Sequence, residues 1–299
     1  MLSTCALAQE STSNEWMDKG IEYLWNGSYE SAIDAFDRAV QIDPENYEAW
    51  VTKGRVLTYL GRYNESIQSC EKAIKIDSSR PEVQTPPLLV KAYTLMAMGR
   101  YEDAEETYDR VTKLEQNFSS AENAKFINAG FYLARGWRGK GIALAKLGRH
   151  DEALQAFDKA IELSPEHVPY AWTSKGDSLR DLGRYEDAIN AYDEALELYP
   201  KPANAGIAQA WKGKGDVLSD LGEHDEAIKA YSAAVEAYDE EIKAFEKASA
   251  LDKATSFTIN PYPVDAEFWY NRGVALRALD RASEADAAFA KAKELGYQE

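Results

Sequence analysis

Cysteine is almost missing: Cys5 and Cys70 are the only two in 299 residues, too few for a disulfide framework and spaced as no metal site requires. Histidine numbers three, which leaves little for imidazole chemistry. No window approaches the roughly 18 consecutive apolar residues of a membrane-spanning helix. Positive charge is in deficit, with 34 Lys+Arg against 51 Asp+Glu and a formal charge of −17. So acidic a chain opposes phosphate backbones, and nucleic acid is excluded as a partner on that ground. What the chain has is core material. At 45% hydrophobic and 11% aromatic it can bury an extensive interior, in two compact domains or one extended array.

Residues 1–12 read as a tail. Met1 to Glu10 lacks a basic start and a long apolar stretch, yet Ala6-Leu7-Ala8 has the small-x-small form of a cleavage site. Two readings stand, a frayed cytoplasmic tail and the remnant of an export signal ending near Ala8. Asn26-Gly-Ser28, Asn64-Glu-Ser66 and Asn117-Phe-Ser119 would be glycan acceptors only in an exported chain.

Self-similarity organises the rest. Trp16, Trp50, Trp137, Trp172, Trp211 and Trp269 each stand four residues before a glycine, namely Gly20, Gly54, Gly141, Gly176, Gly215 and Gly273. A unit beginning with Leu88 and Ala92 fills the gap after the second. A further glycine follows in the first six units, at 27, 61, 99, 148, 183 and 222. The pattern W-x3-G-x2-Y…G…A-x3-F-x2-A…P, as at Trp16, Gly20, Tyr23, Ala32, Phe36, Ala39 and Pro44, resembles the tetratricopeptide (TPR) repeat, a helix-turn-helix unit of 34 residues. That resemblance implies an all-α, right-handed α-solenoid of about seven repeats. They fall near 13–46, 47–80, 85–118, 134–167, 169–202, 208–254 and 266–299, as a single solenoid over 13–299.

Helix geometry agrees. With each tryptophan numbered 4, positions 4, 7, 8 and 11 lie within about 100° of arc and form the buried face of a first helix. Positions 20, 24 and 27 form the stripe of a second. A glycine inside a helix costs about 1 kcal/mol relative to alanine, so its recurrence at position 8 implies close helix crossing. The glycine at 15 suits a left-handed cap, and proline near 32 stops the second helix.

The tryptophan-equivalent positions step by 34, 38, 49, 35, 39 and 58, and the excesses locate three insertions. After repeat two, S-S-R-P-E-V-Q-T-P-P reads as a loop whose prolines forbid helix. Before Trp137 the first helix of repeat four extends backwards from a Ser119 or Ser120 cap. In repeat six the second helix runs on, with Ile228, Tyr231, Val235, Tyr238, Ile242 and Phe245 at alternating steps of three and four. Tyr238, Ile242 and Phe245 either pack on neighbouring segments or form a self-association or partner-helix surface.

Chemistry is not evident. His150 and His224 occupy position 17, where other units place tyrosine, and His167 lies in a linker. Gly136-Trp-Arg-Gly-Lys-Gly141 lacks a preceding strand and a Ser or Thr after the lysine, so it is no phosphate loop. No catalytic residue, cofactor or metal is assigned, and the chain reads as no enzyme.

Binding is the function left. If 4, 7, 8 and 11 face the partner helix, positions 2, 5, 9 and 12 point away, and in the TPR family this face lines a concave groove for peptides or helices. Repeats one to three place Met17, Ile21, Leu24, Val51, Tyr59, Leu89, Tyr93 and Met96 on or beside it. Repeats four to seven place Arg135, Arg138, Tyr170, Thr173, Asp177, Arg180, Gln209, Lys212, Asp216, Tyr270 and Arg277. The paired lysine and asparagine clamp with which some relatives hold a chaperone tail is absent: Met17, Ile21, Thr52, Pro86 and Val90 stand in its places. The expected role is a protein-binding scaffold for a peptide or helix, with overall acidity pointing to a basic or neutral partner. The alternative is a self-assembling or docking subunit that uses the long helix of repeat six.

Overall fold

The computed structural model describes residues 12–76, 81–114, 129–164, 169–198, 205–250 and 266–297. Among them the chain forms fourteen helices and no strand. They are α1 (Ser13–Trp25), α2 (Tyr29–Ile42), α3 (Tyr47–Tyr59), α4 (Tyr63–Ile76), α5 (Pro81–Ala97), α6 (Tyr101–Lys113) and α7 (Ala129–Lys146). They continue as α8 (His150–Leu163), α9 (Pro169–Asp181), α10 (Tyr185–Leu198), α11 (Ala205–Asp220), α12 (His224–Ala250), α13 (Ala266–Ala278) and α14 (Ala282–Glu294). Two compact units emerge, Met1–Thr94 and Leu95–Glu299, with the boundary inside α5.

Within the first unit, α1 packs on α2 and α3 on α4, and α2 meets α3. Thr12 and Glu15 make a reciprocal capping box that starts α1, and the Asn46 side chain accepts the Ala49 N–H at 3.0 Å to start α3. In the second unit α7–α8, α9–α10, α11–α12 and α13–α14 are antiparallel pairs, and the first helices α7, α9 and α11 touch in succession. No helix could bury its apolar stripe alone, so neighbouring pairs stack to do it.

The glycine at position 8 does what the crossing demands. A methyl placed on Gly141 would lie 2.5 Å from the Phe157 ring, and one on Gly176 would lie 2.6 Å from Tyr192. Phe157 and Tyr192 are fully buried, and so are the alanines at positions 20 and 27 beside them, Ala153, Ala160, Ala188 and Ala195. The turn glycine is equally determined: Gly148 adopts φ 75°, and Arg149 N–H returns to the Leu144 carbonyl at 2.9 Å, closing the last turn of α7. Repeat seven has Asp280 at that place, held at φ 55°.

One expectation of the buried face needs correcting. Position 7 carries a cation in every unit, and its ammonium or guanidinium is not merged into an apolar core. Lys140, Lys175 and Lys214 lie 5.4, 4.9 and 5.7 Å over the rings of Trp137, Trp172 and Trp211. Each then reaches an acid at position 25 of the preceding second helix: Asp109 at 2.6 Å, Asp158 at 2.6 Å and Asp193 at 2.5 Å. The aliphatic stem packs while the charge emerges at the junction, as long cationic side chains do. Lys53 with Asp37 and Lys91 with Glu71 repeat the arrangement in the first unit.

The insertions also differ from expectation. Helix α5 begins at Pro81 and contains Pro86 and Pro87, where a helix-free loop was expected. A proline in the first turn costs nothing because its missing N–H has no partner there, and the two later prolines leave only local gaps in the hydrogen-bond ladder. Helix α7 begins at Ala129, well before Trp137, whereas the cap expected at Ser119 or Ser120 lies outside the described residues.

Helix α12 does run on, for 27 residues. Tyr231 packs on Gly215 of its own repeat, but position 25 is Ser232, and Arg272 of the next repeat pairs instead with Asp239 at 2.8 Å. Repeat seven therefore docks one heptad, about 10 Å, further along the helix. Tyr238 meets Phe268 edge-on at 4.7 Å and is fully buried, and Ile242 packs against the same core. These two residues, expected as a candidate partner surface, are occupied by repeat seven, and the side chain of Phe245 lies outside the described residues. The offset leaves Ile228 half exposed, where Leu154 at the same position is buried.

Candidate functional site

On the first helices of repeats four to six the uncovered face carries a connected polar strip. Arg138 on α7 lies 5.3 Å over the ring of Tyr170 on α9. One helix further, the Arg180 guanidinium of α9 donates to Asp216 Oδ2 of α11 at 2.9 Å, and Lys212 Nζ donates to the same oxygen at 2.9 Å. Asp216 Oδ1 accepts the Tyr231 hydroxyl at 3.0 Å. Asp177 Oδ1 accepts the Tyr192 hydroxyl at 2.7 Å.

These two carboxylates are not equivalent. Asp216 is satisfied at both oxygens by two cations and a phenol. Burial of Asp177 outweighs the pull of the Tyr192 hydroxyl, Arg180 and Lys212, and holds its carboxyl above the ordinary aspartate range. Burial, with Asp177 adding to it, pushes the Tyr192 phenol up, and burial with Asp216 does the same to Tyr231. Both tyrosines therefore remain protonated donors across the physiological range.

Tyr192 and Tyr231 were not among the expected site residues, but a signal for them exists. In repeats five and six tyrosine at position 24 goes with aspartate at position 9, Asp177 with Tyr192 and Asp216 with Tyr231, whereas repeat three pairs Tyr108 with Tyr93. Repeats with phenylalanine at 24 have an aliphatic residue at 9: Ile21 with Phe36, Ile142 with Phe157, Val274 with Phe289. A buried hydroxyl needs an acceptor, and the groove aspartate supplies it.

Other expected groove residues are placed differently. Met17, Val51, Leu89 and Thr173, all at position 5, are buried, as is Leu24 at position 12. The backbone at position 5 sits between packed helices, so only long side chains such as Arg138 and Lys212 emerge there. Tyr270 also stacks face to face on Tyr297 at 4.2 Å, and Arg277 turns to Asp286 at 2.6 Å, so repeat seven takes these two out of the strip. In repeats one to three Ile21 and Met96 are half-buried, Tyr59 pairs with Tyr29 at 4.9 Å, and Tyr93 is 59% exposed. Arg135 is exposed and Gln209 half-buried.

Arg138 is the exception in this strip. Among the described residues its charge meets the Tyr170 ring and pairs with no carboxylate.

Among the described residues no group of three or more His, Cys, Asp and Glu is placed to hold a metal ion, and no helix is long and apolar enough to cross a membrane. Cys70 is fully buried, and that burial pushes its thiol up to about 12, far from a nucleophilic thiolate. His150 is half-buried and His224 exposed, while His167 lies outside the described residues.

Comparison with known proteins places this geometry in a family. Tetratricopeptide repeat descriptions match residues 17–81, 86–118, 132–201, 173–242 and 266–295. No curated protein matches. Among solved structures, a tetratricopeptide repeat protein from Parabacteroides merdae is similar at 19% identity, with 96% of this chain and 94% of that one covered and a TM-score of 0.58. PilW, described as a widely conserved type IV pilus biogenesis factor, is similar at 17% identity over 74% of this chain and 90% of its own, TM-score 0.57. Pseudomonas aeruginosa pilF is similar at 18% identity over 80% and 97%, TM-score 0.54. At such identities the likeness is one of fold, a solenoid of paired helices. The chain belongs to the tetratricopeptide repeat family.

Proposed function

We propose that the chain is a non-enzymatic scaffold that binds a polypeptide segment against the first-helix face of repeats four to six. The observation carrying this reading is the partly buried strip of Arg138, Tyr170, Arg180, Lys212 and Asp216, which reaches the surface along consecutive first helices. Arginine and tyrosine on a rigid platform are efficient anchors, because little side-chain freedom is lost on binding. A cation–ring contact joins repeats four and five and a hydrogen bond joins five and six, so the platform is set before a partner arrives. The family membership supports a protein partner.

The test is affinity capture from the native cell extract with the wild type beside an Arg138→Ala, Tyr170→Ala, Lys212→Ala variant, both checked for unchanged helicity. Loss of specific partners in the variant is the expected result. Identical captured sets would remove the strip as the binding face.

A further inference from the structure

One cation of the strip is left uncancelled in an acidic chain. Across repeats four to six, Arg138, Arg180 and Lys212 stand beside Asp177, Asp181 and Asp216, three cations and three carboxylates, in a protein of formal charge −17. All three carboxylates are already engaged: Asp216 by Arg180, Lys212 and Tyr231, Asp181 by Arg180 at 3.6 Å, and Asp177 by Tyr192. Arg138 is left without a carboxylate partner among the described residues, its guanidinium lying on Tyr170. A guanidinium fixed over an aromatic ring keeps its edge N–H groups free, in the planar fork that matches a carboxylate. Nor can the acidic exterior compensate at a distance, since screening confines each exposed charge to about 8–10 Å at ordinary ionic strength.

We infer that the polypeptide segment bound on this strip is acidic, and that it presents a carboxylate to Arg138. This rests on the groove reading given above and departs from the expectation, drawn from net charge alone, of a basic or neutral partner. The total of −17 reports the whole surface, whereas a bound segment meets only the local field, and there the available charge is positive. The rest of the acidic surface then selects against any acidic molecule that does not reach the strip.

The experiment uses two capped, fluorescein-labelled peptides of about twelve residues. They share a leucine, serine and glycine background and differ only in carrying glutamate or lysine at the same places. Fluorescence anisotropy with the full chain at low and physiological salt should give at least about tenfold tighter binding of the glutamate peptide, weakening as salt rises. Arg138→Ala should weaken it about tenfold, as expected for a hydrogen bond to a charged group, and Arg138→Lys should restore part of the loss. A lysine peptide bound equally or more tightly, no binding of either at millimolar concentration, or an unchanged affinity in Arg138→Ala overturns the inference. A photo-crosslinking residue at Gln209 separates the two levels. Crosslinks from the lysine peptide keep the groove and sink its acidic preference, whereas crosslinks from neither bound peptide sink the groove itself.

Discussion

The close crossing between repeats five and six can be tested through one ring. Tyr192 lies between two glycines: a methyl on Gly176 would come within 2.6 Å of its Cε1, and one on Gly213 within 2.5 Å of its Cζ and 2.7 Å of its Oη. Ordinary carbon contacts lie near 3.5–4.0 Å. Relief of a Gly213→Ala clash therefore requires the ring to retreat by about 1 Å, but Gly176 blocks the other side and the hydroxyl is tied to Asp177 at 2.7 Å. Such overpacking costs roughly 1–3 kcal/mol, against which alanine returns about 1 kcal/mol of helix propensity. The expected net effect is a loss of about 1–2 kcal/mol. In a Tyr192→Leu background the ring is gone, so the same Gly213→Ala change should be neutral or stabilising. Urea titrations of the four proteins of this cycle, followed by circular dichroism and by tryptophan fluorescence, give the coupling between the two sites. A Gly213→Ala cost that is equal in both backgrounds, or a stabilised single variant, would refute the claim that glycine is present here to admit the ring.

Three further outcomes follow from other parts of the molecule. Asp177→Asn keeps an acceptor for the Tyr192 hydroxyl and removes a carboxylate that burial disfavours, so it should stabilise the fold at neutral pH. Because the folded carboxyl binds its proton more tightly than the unfolded one, wild-type stability is recovered as pH falls through the raised value, and the advantage of the variant should shrink there; a constant difference across pH would exclude this. Asp177→Ala instead strands a buried phenol and should cost about 1–3 kcal/mol in thermal or urea melts. Asp280→Gly relieves a non-glycine residue held at φ 55° and should stabilise by about 0.5–1 kcal/mol; a destabilised variant would mean that the side chain has a role of its own. At the junction of repeats four and five, Lys175→Met keeps the stem over Trp172 and removes the pair with the exposed Asp158, so it should change stability by less than about 1 kcal/mol, while Lys175→Ala loses the packing and costs more. Equal losses in the two would show that the charge, and not the stem, matters.

The repeat was legible because its causes are local in the chain. Tryptophan, glycine and alanine return at helical spacing, glycine follows the first helix where a left-handed cap is needed, and seven in-phase copies make the pattern specific. The groove was legible only as a face. Angular position on a helix says which side points away from its partner, but not how far neighbouring first helices close over it, and so Met17 and Val51 were placed in a surface that packing buries. The cations at position 7 were plain in the sequence, three residues after each tryptophan, yet their acids lie in the preceding repeat and only stacking reveals the pairing.

The offset of repeat seven shows the same division. An extra stretch of apolar heptads in α12 could equally have been a free arm or a longer dock, because an unpartnered stripe looks alike in either case. Tertiary packing decided it, by burying Tyr238 against Phe268 and tying Asp239 to Arg272. The charge available to a partner was decided in the same way. Sequence sets how many charges the chain carries, whereas three-dimensional pairing sets which remain uncancelled, and Arg138 is the one that matters on this strip because the carboxylates around it are already held by other groups.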